Sequence, residues 1–185
     1  MAADMIWAYY DRAATSRVLF KRRKLATCSP YKRENYEIIW DKYLGSFDVI
    51  RLVMTDFFSI DKTVDDALTI IKKRILEELE ECYPDTKYDP DDFLYSLDRF
   101  YRKSGRQFVV VIDEWDVVFR SRKEDYKDQN RYLDFLRDWL KDKAYIALAY
   151  MTGILPIKKY GVHSALNMFT EYSMTFPRQI APYTG

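Results

Sequence analysis

The stretch Phe108-Val109-Val110-Val111-Ile112-Asp113-Glu114 decides the fold of this chain. Its five leading residues are all apolar and four are β-branched, so they cannot alternate between core and water. They read as a short strand buried on both faces, as strands of a parallel sheet are. Two acids then end the run. A carboxylate at the C-terminal tip of such a strand lies in the crevice where open α/β sheets bind ligands. There Asp113 is placed to hold Mg²⁺ through water, and Glu114 to orient or deprotonate a nucleophilic water, an arrangement suited to nucleotide chemistry. The plainer reading is strand-end polarity, because loops are polar and a carboxylate can cap the next helix.

Downstream, Trp115 and Asp116 lead into a charged stretch, Arg120 to Asn130, that reads as a mobile loop. Tyr132, Leu133, Leu136, Trp139 and Leu140 recur at the steps of an amphipathic helix. Another strand is expected over Ala144 to Met151, apolar throughout, covered on both sides and ending in Thr152 and Gly153. Neighbouring parallel strands tipped with Asp-Glu and with Thr bring three polar groups into one crevice, which favours nucleotide chemistry. The only histidine, His163, lacks partners for a triad and, beside two cysteines, for a zinc site. A last strand is expected around Glu171 to Thr175, and the stop at Tyr183-Thr184-Gly185 reads as a cut.

Upstream, Phe47 to Met54 forms a strand nearer an edge, since Arg51 interrupts Val49, Ile50, Leu52 and Val53. Thr63 and Asp66 are spaced as a capping pair for a long helix carrying Val64, Ala67, Leu68, Ile71, Ile75 and Leu79, stopped by Tyr83-Pro84-Asp85. Asp89-Pro90 reads as N-cap and first-turn proline of a helix through Phe93, Leu94, Leu97, Phe100 and Tyr101, closed at Ser104-Gly105. The acids from Asp85 to Asp92 lack the spacing and central glycine of a calcium loop. Met1 to Asp11 reads as a helix without an N-cap, which suggests that something upstream is absent. Between them, Arg12 to Lys42 interleaves tyrosine with cations, including Lys21-Arg22-Arg23-Lys24. Such a tract can grip nucleic acid, yet with acids around it a solvated face is the simpler reading. Tyr36, Ile39, Trp40 and Tyr43 share a helical face that Gly45 closes.

Composition narrows the function classes. A chain of 185 residues suits one domain, and 48% hydrophobic with 17% aromatic content is ample for a core. With 30 basic against 29 acidic residues, no overall field steers nucleic acid or an anionic membrane, so any anion site must be local. Cys28 and Cys82 are too few for a disulfide scaffold, and no charged-then-apolar leader opens the chain, so a cytoplasmic location is expected. The longest apolar run, Ala144 to Met151, is too short to span a bilayer, so no membrane partner is expected.

Several stretches together resemble the bacterial AAA-ATPase-like proteins, a P-loop family often fused to a restriction-type nuclease domain. They are Phe108 to Asp116, Tyr132-Leu133-Asp134-Phe135-Leu136-Arg137, Tyr150-Met151-Thr152-Gly153-Ile154-Leu155 and Ser164-Ala165-Leu166-Asn167-Met168-Phe169. Met5-Ile6-Trp7-Ala8-Tyr9-Tyr10-Asp11-Arg12 with Ser16-Arg17 is similar to the family's segment just after its phosphate-binding loop. The resemblance implies an α/β fold, a P-loop NTPase-like three-layer sandwich with a mostly parallel sheet. It further implies that Asp113 serves Mg²⁺, Glu114 polarises the attacking water and Thr152 stands where a sensor of the ATP γ-phosphate would. Asn167 and Ser164 match family positions without a chemical role. The family commonly has an arginine after Thr-Gly-Ile-Leu; here Pro156 takes its place, with Lys159 as the nearby cation.

Gly-x-x-x-x-Gly-Lys-Ser/Thr occurs nowhere in the sequence. The expectation is therefore a single AAA-ATPase-like domain over residues 1–185, incomplete because its first strand and phosphate-binding loop are absent, and weak as an ATPase alone. The implied partners are ATP with Mg²⁺ and a C-terminal nuclease domain of a longer protein, through which alone nucleic acid would enter. A non-catalytic interaction module is the alternative, since a sheet lacking a strand has an unpaired edge. A metal-dependent nuclease using Asp113, Glu114 and Asp116 is a further one, but Asp113 and Glu114 point apart on an extended strand unless the chain bends there.

Overall fold

The computed structural model describes residues 2–12, 42–59, 62–157 and 166–173. Three parallel strands stand in the order β1 (Asp48–Val53), β2 (Phe108–Asp113), β3 (Ile146–Met151). Helix α1 (Ala2–Tyr10) precedes β1. Helices α2 (Val64–Cys82) and α3 (Phe93–Ser104) link β1 to β2, and α4 (Val117–Ser121) with α5 (Tyr126–Leu140) link β2 to β3. The architecture is α/β, and the Phe108 run is its central strand, with Phe108 to Ile112 fully buried.

Side-chain alternation along β2 divides the core between the two faces of the sheet. Phe108, Val110 and Ile112 join Ile50 and Leu52 against the buried sides of α2, α3 and α5. Val109 and Val111 face the other way, where Ala3 of α1 packs on them with Ile6, Tyr10, Phe47, Val49 and Tyr150 around. Helices on both faces explain why β2 carries no polar residue before its tip. β1 lies at an edge as its pattern suggests, with Arg51 exposed and paired to Asp4 at 2.6 Å. β3 departs from expectation. It starts at Ile146, and Ala147 and Leu148 are exposed, because among the described residues it pairs with β2 alone.

Helix ends follow local chemistry, with two corrections. The Thr63–Asp66 capping box forms: the Asp66 amide donates to Thr63 Oγ1 at 3.1 Å and the Thr63 amide to Asp66 Oδ2 at 3.2 Å. Gly105 ends α3 in the left-handed conformation, φ 67°, a cap that favours glycine. The N-cap of α3, however, is Asp92, which accepts from the Tyr95 amide at 3.0 Å; Asp89-Pro90 lies in the preceding turn. Buried Ser96 holds that turn, its hydroxyl bonding both the amide and the carbonyl of Asp89. The charged stretch Arg120–Asn130 is not a mobile loop. Arg120 belongs to α4, and α5 begins at Tyr126 under an Asp125 cap. The link between them is tied by Arg122, which pairs with Asp128 at 2.9 Å and bonds the Lys62 carbonyl, and by buried Gln129, which donates to the Arg122 carbonyl at 2.7 Å.

At the N-terminal end of the sheet, Asp48 is buried and fully engaged. Arg12 pairs with it at 3.0 Å, the Tyr83 hydroxyl donates to it, and the Arg12 guanidinium lies over the Tyr83 ring. Gly45 adopts a left-handed turn just before β1. The helical face through Tyr36, Ile39 and Trp40, the Lys21–Lys24 tract, Lys159, His163 and Ser164 lie outside the described residues. Of the strand expected over Glu171 to Thr175, residues 171–173 are not strand, and 174–175 lie outside the described residues. Among the described residues no helix is long and apolar enough to cross a membrane.

Ile71 is wholly buried on α2, so Ile71→Ala should lower unfolding stability by about 3 kcal/mol through the cavity it leaves. Thr63→Ala removes only a cap and should cost about 1 kcal/mol. Urea denaturation of both variants checks the ratio.

Candidate functional site

The site is assembled where β2 and β3 end together. Their parallel register aligns Ile112 with Met151, and the pairing continues beyond the strands. The Thr152 amide donates to the Ile112 carbonyl at 2.9 Å, and the Trp115 amide to the Thr152 carbonyl at 3.0 Å. Thr152 is thereby fixed beside the tip of β2, and its hydroxyl donates to Asp113 Oδ1. Glu114 then breaks the strand. Its φ of 57° is left-handed, uncommon for a residue with a side chain and a mark of functional or strained turns. The Glu114 amide donates to Asp113 Oδ1 at 3.2 Å, and its carboxylate pairs with Arg120 of α4. Both acids are half-buried. Burial, with the Asp113 charge adding to it, raises the Tyr150 phenol above its ordinary value.

Behind this pair stands Asp116, which is fully buried. Its Oδ2 accepts from the amides of Ile154 at 3.2 Å and Leu155 at 2.9 Å, and Arg120 Nε lies 3.2 Å away. That contact is an ion pair without a hydrogen bond at Nε, and Asp116 Oδ1 has no hydrogen-bond partner among the described residues. The preceding turn is held from α5, whose Tyr132 hydroxyl donates to the Trp115 carbonyl at 2.8 Å. Burial, reinforced by the Asp116 charge, pushes that phenol far above its ordinary value, so it stays a donor. Gly153 fits against this wall because it has no side chain: a Cβ there would lie 2.6 Å from the Trp115 ring and 2.7 Å from Asp116 Oδ1.

Asp113, Glu114 and Thr152 are thus brought together, as expected from the sequence. Asn167 sits in an exposed turn, and Pro156 is exposed beside the Gly153–Leu155 loop. Arg120 and the buried anchoring of Asp116 were missed. The signal was available, since Asp116 and Arg120 are four residues apart, the spacing of a helical ion pair. The arrangement also bears on metals. No group of three or more His, Cys, Asp or Glu side chains suited to a metal occurs among the described residues. Glu114 does turn away from the strand, as the nuclease alternative needed, but its carboxylate goes to Arg120, and Asp116 Oδ2 is given to backbone amides.

Removing Asp116 leaves the Ile154 and Leu155 amides and the inner edge of a guanidinium without their partner. Asp116→Ala should therefore cost about 3 kcal/mol or more, against at most about 1 kcal/mol for Glu114→Ala at a more exposed pair. Gly153→Ala should cost about 1–3 kcal/mol through overlap with Trp115. Denaturant titrations followed by tryptophan fluorescence test this order.

A family model described as predicted AAA-ATPase matches residues 1–163. No curated protein and no solved structure matches the chain. The matched span takes in every helix and strand described above, including the tips that carry Asp113, Glu114 and Thr152. The chain belongs to the predicted AAA-ATPase family, the AAA-ATPase-like proteins.

Proposed function

We propose that the tips of β2 and β3 form the hydrolytic half of a Mg²⁺-dependent ATP site. The observation that carries this reading is the hydroxyl of Thr152 on Asp113, with Glu114 turned out beside them. The donor set fits the ion: a hard carboxylate oxygen next to a hydroxyl suits Mg²⁺, which keeps several waters and takes one or two protein carboxylates. The hydrogen bonds to Asp113 fall on Oδ1 among the described residues, leaving Oδ2 to face an ion. When bound, Mg²⁺ supplies neutralisation of the charge on the β- and γ-phosphates.

The protein's own groups do the rest. Asp113 supplies the anchoring oxygen. Glu114, one oxygen of whose carboxylate is on Arg120, accepts a proton from an ordered water or polarises it through the other. Thr152, held by the backbone bonds of Ile112 and Trp115, offers its hydroxyl to a terminal phosphate oxygen without moving its main chain. What the sequence lacks is the Gly-x-x-x-x-Gly-Lys-Ser/Thr loop whose amides and lysine supply most phosphate affinity. The expected affinity for nucleotide is weak, near millimolar, or about −4 kcal/mol. A cytoplasmic setting, drawn from cysteine usage, and an attached nuclease domain, drawn from the family resemblance, are part of the same proposal.

A second reading, a non-catalytic docking module, is favoured by the exposed Leu148 on β3 and by exposed Met5 and Trp7 on α1. It predicts concentration-dependent sedimentation of the chain, whereas a self-contained monomer sediments independently of concentration.

The nucleotide reading is tested by nuclear magnetic resonance with Mn²⁺ in place of Mg²⁺ and a non-hydrolysable ATP analogue. The amides of Glu114 and Thr152 should broaden first, and Asp113→Asn should abolish the effect. Broadening centred elsewhere, or unchanged by that substitution, refutes it.

A further inference from the structure

Arg120, in the last turn of its short helix, ends up at the acidic tips, where it faces two carboxylates. Among the described residues it is the cation paired with the carboxylates of this site: Nη2 meets Glu114 and Nε lies 3.2 Å from Asp116. A guanidinium is a rigid planar fork, so holding one edge sets the direction of the other. The inner edge lies against Asp116 as an ion pair, and the outer one donates to Glu114. Asp116 is fully buried and clamped by the Ile154 and Leu155 amides, while the side chains of Glu114 and Arg120 are each about a third exposed, 36% and 34%. Arg120 therefore links the buried, backbone-bound Asp116 to the more exposed Glu114. The left-handed backbone of Glu114 swings its side chain out of the strand's alternation, and Arg120 is what meets it there.

We propose that Arg120 is a positioning residue that sets where the Glu114 carboxylate stands, with Asp116 as its anchor. The proposal rests on the reading that Glu114 addresses the attacking water. Asp116 Oδ1 and Arg120 Nε have no hydrogen-bond partner among the described residues, so Arg120 can tighten on Asp116 without releasing Glu114. Arg120 in this role touches neither nucleotide nor water.

The test uses the whole chain with Arg120→Gln and Arg120→Lys, each alone and combined with Glu114→Gln. In Mg·ATP hydrolysis assays Arg120→Gln should lower kcat about tenfold or more, with KM within about twofold. The Glu114→Gln/Arg120→Gln double variant should be no slower than Glu114→Gln, and Arg120→Lys, which keeps the charge without the fork, should fall between. Multiplying effects, an unchanged kcat, or a raised KM at constant kcat overturns the proposal. A second measurement needs no nucleotide. The Arg120 Nε–H resonance, identified by its loss in Arg120→Lys, should shift both in Glu114→Gln and in Asp116→Asn; indifference to either substitution also overturns it. A chain that shows this coupled resonance yet neither binds nor hydrolyses ATP removes the nucleotidase reading and leaves the hold of Arg120 on Glu114 standing. Hydrolysis with an indifferent Arg120 does the reverse.

Discussion

The backbone ladder between β2 and β3 is the constraint on which the rest depends. It does not stop with the strands: the Thr152 amide reaches the Ile112 carbonyl and the Trp115 amide reaches the Thr152 carbonyl. Side chains alternate with a period of two, so a slip of one residue would send the Thr152 hydroxyl to the other face of the sheet. What prevents the slip is the core. Val110 and Ile112 are buried among α2, α3 and α5, while Val109 and Val111 are buried under α1, and neither set tolerates exchange with the other. The meeting of Asp113 with Thr152 is thus fixed by hydrophobic burial some distance from either side chain.

At the tips the buried and the accessible acids do different work. Asp116 gives its Oδ2 to two backbone amides and a guanidinium, and so joins the loop after β3 to the turn after β2. A buried carboxylate is tolerated only with such partners. Asp113 and Glu114 keep part of their surface in solvent, and each has a side-chain partner that can let go, Thr152 for the one and Arg120 for the other. Gly153 completes the division, since any side chain there would push into the Trp115 ring that backs the turn.

Much of this was legible in the residues. An apolar run with no polar interruption is compatible with few environments, and β2 proved to be the central strand. The Thr63–Asp66 box and the Gly105 cap depend on neighbours a few residues away, so local sequence suffices for them. What failed depended on distant partners. Asp89-Pro90 has the composition of a helix start, but the side chain of Ser96 recruits the Asp89 backbone and leaves the cap to Asp92. The polarity of residues 120–130 resembles that of a loop, because nothing local reveals that Gln129 is buried or that Arg122 reaches the Lys62 carbonyl. The exposure of Leu148 follows from what lies beside β3, not from β3 itself. The role of Arg120 needed the left-handed turn at Glu114, which no pattern in the sequence announced.

The knot of Arg12, Asp48 and Tyr83 at the opposite end of the sheet has its own consequence. There a carboxylate at the entry of a strand is covered: a guanidinium and a phenol close over it, and Arg12 stacks on the same ring. The two ends of the sheet are therefore unequal among the described residues, since Asp113 and Glu114 keep part of their surface in solvent. Of these two places, it is the strand tips that offer an approaching cation open carboxylate, and the entry of β1 that keeps its own sealed.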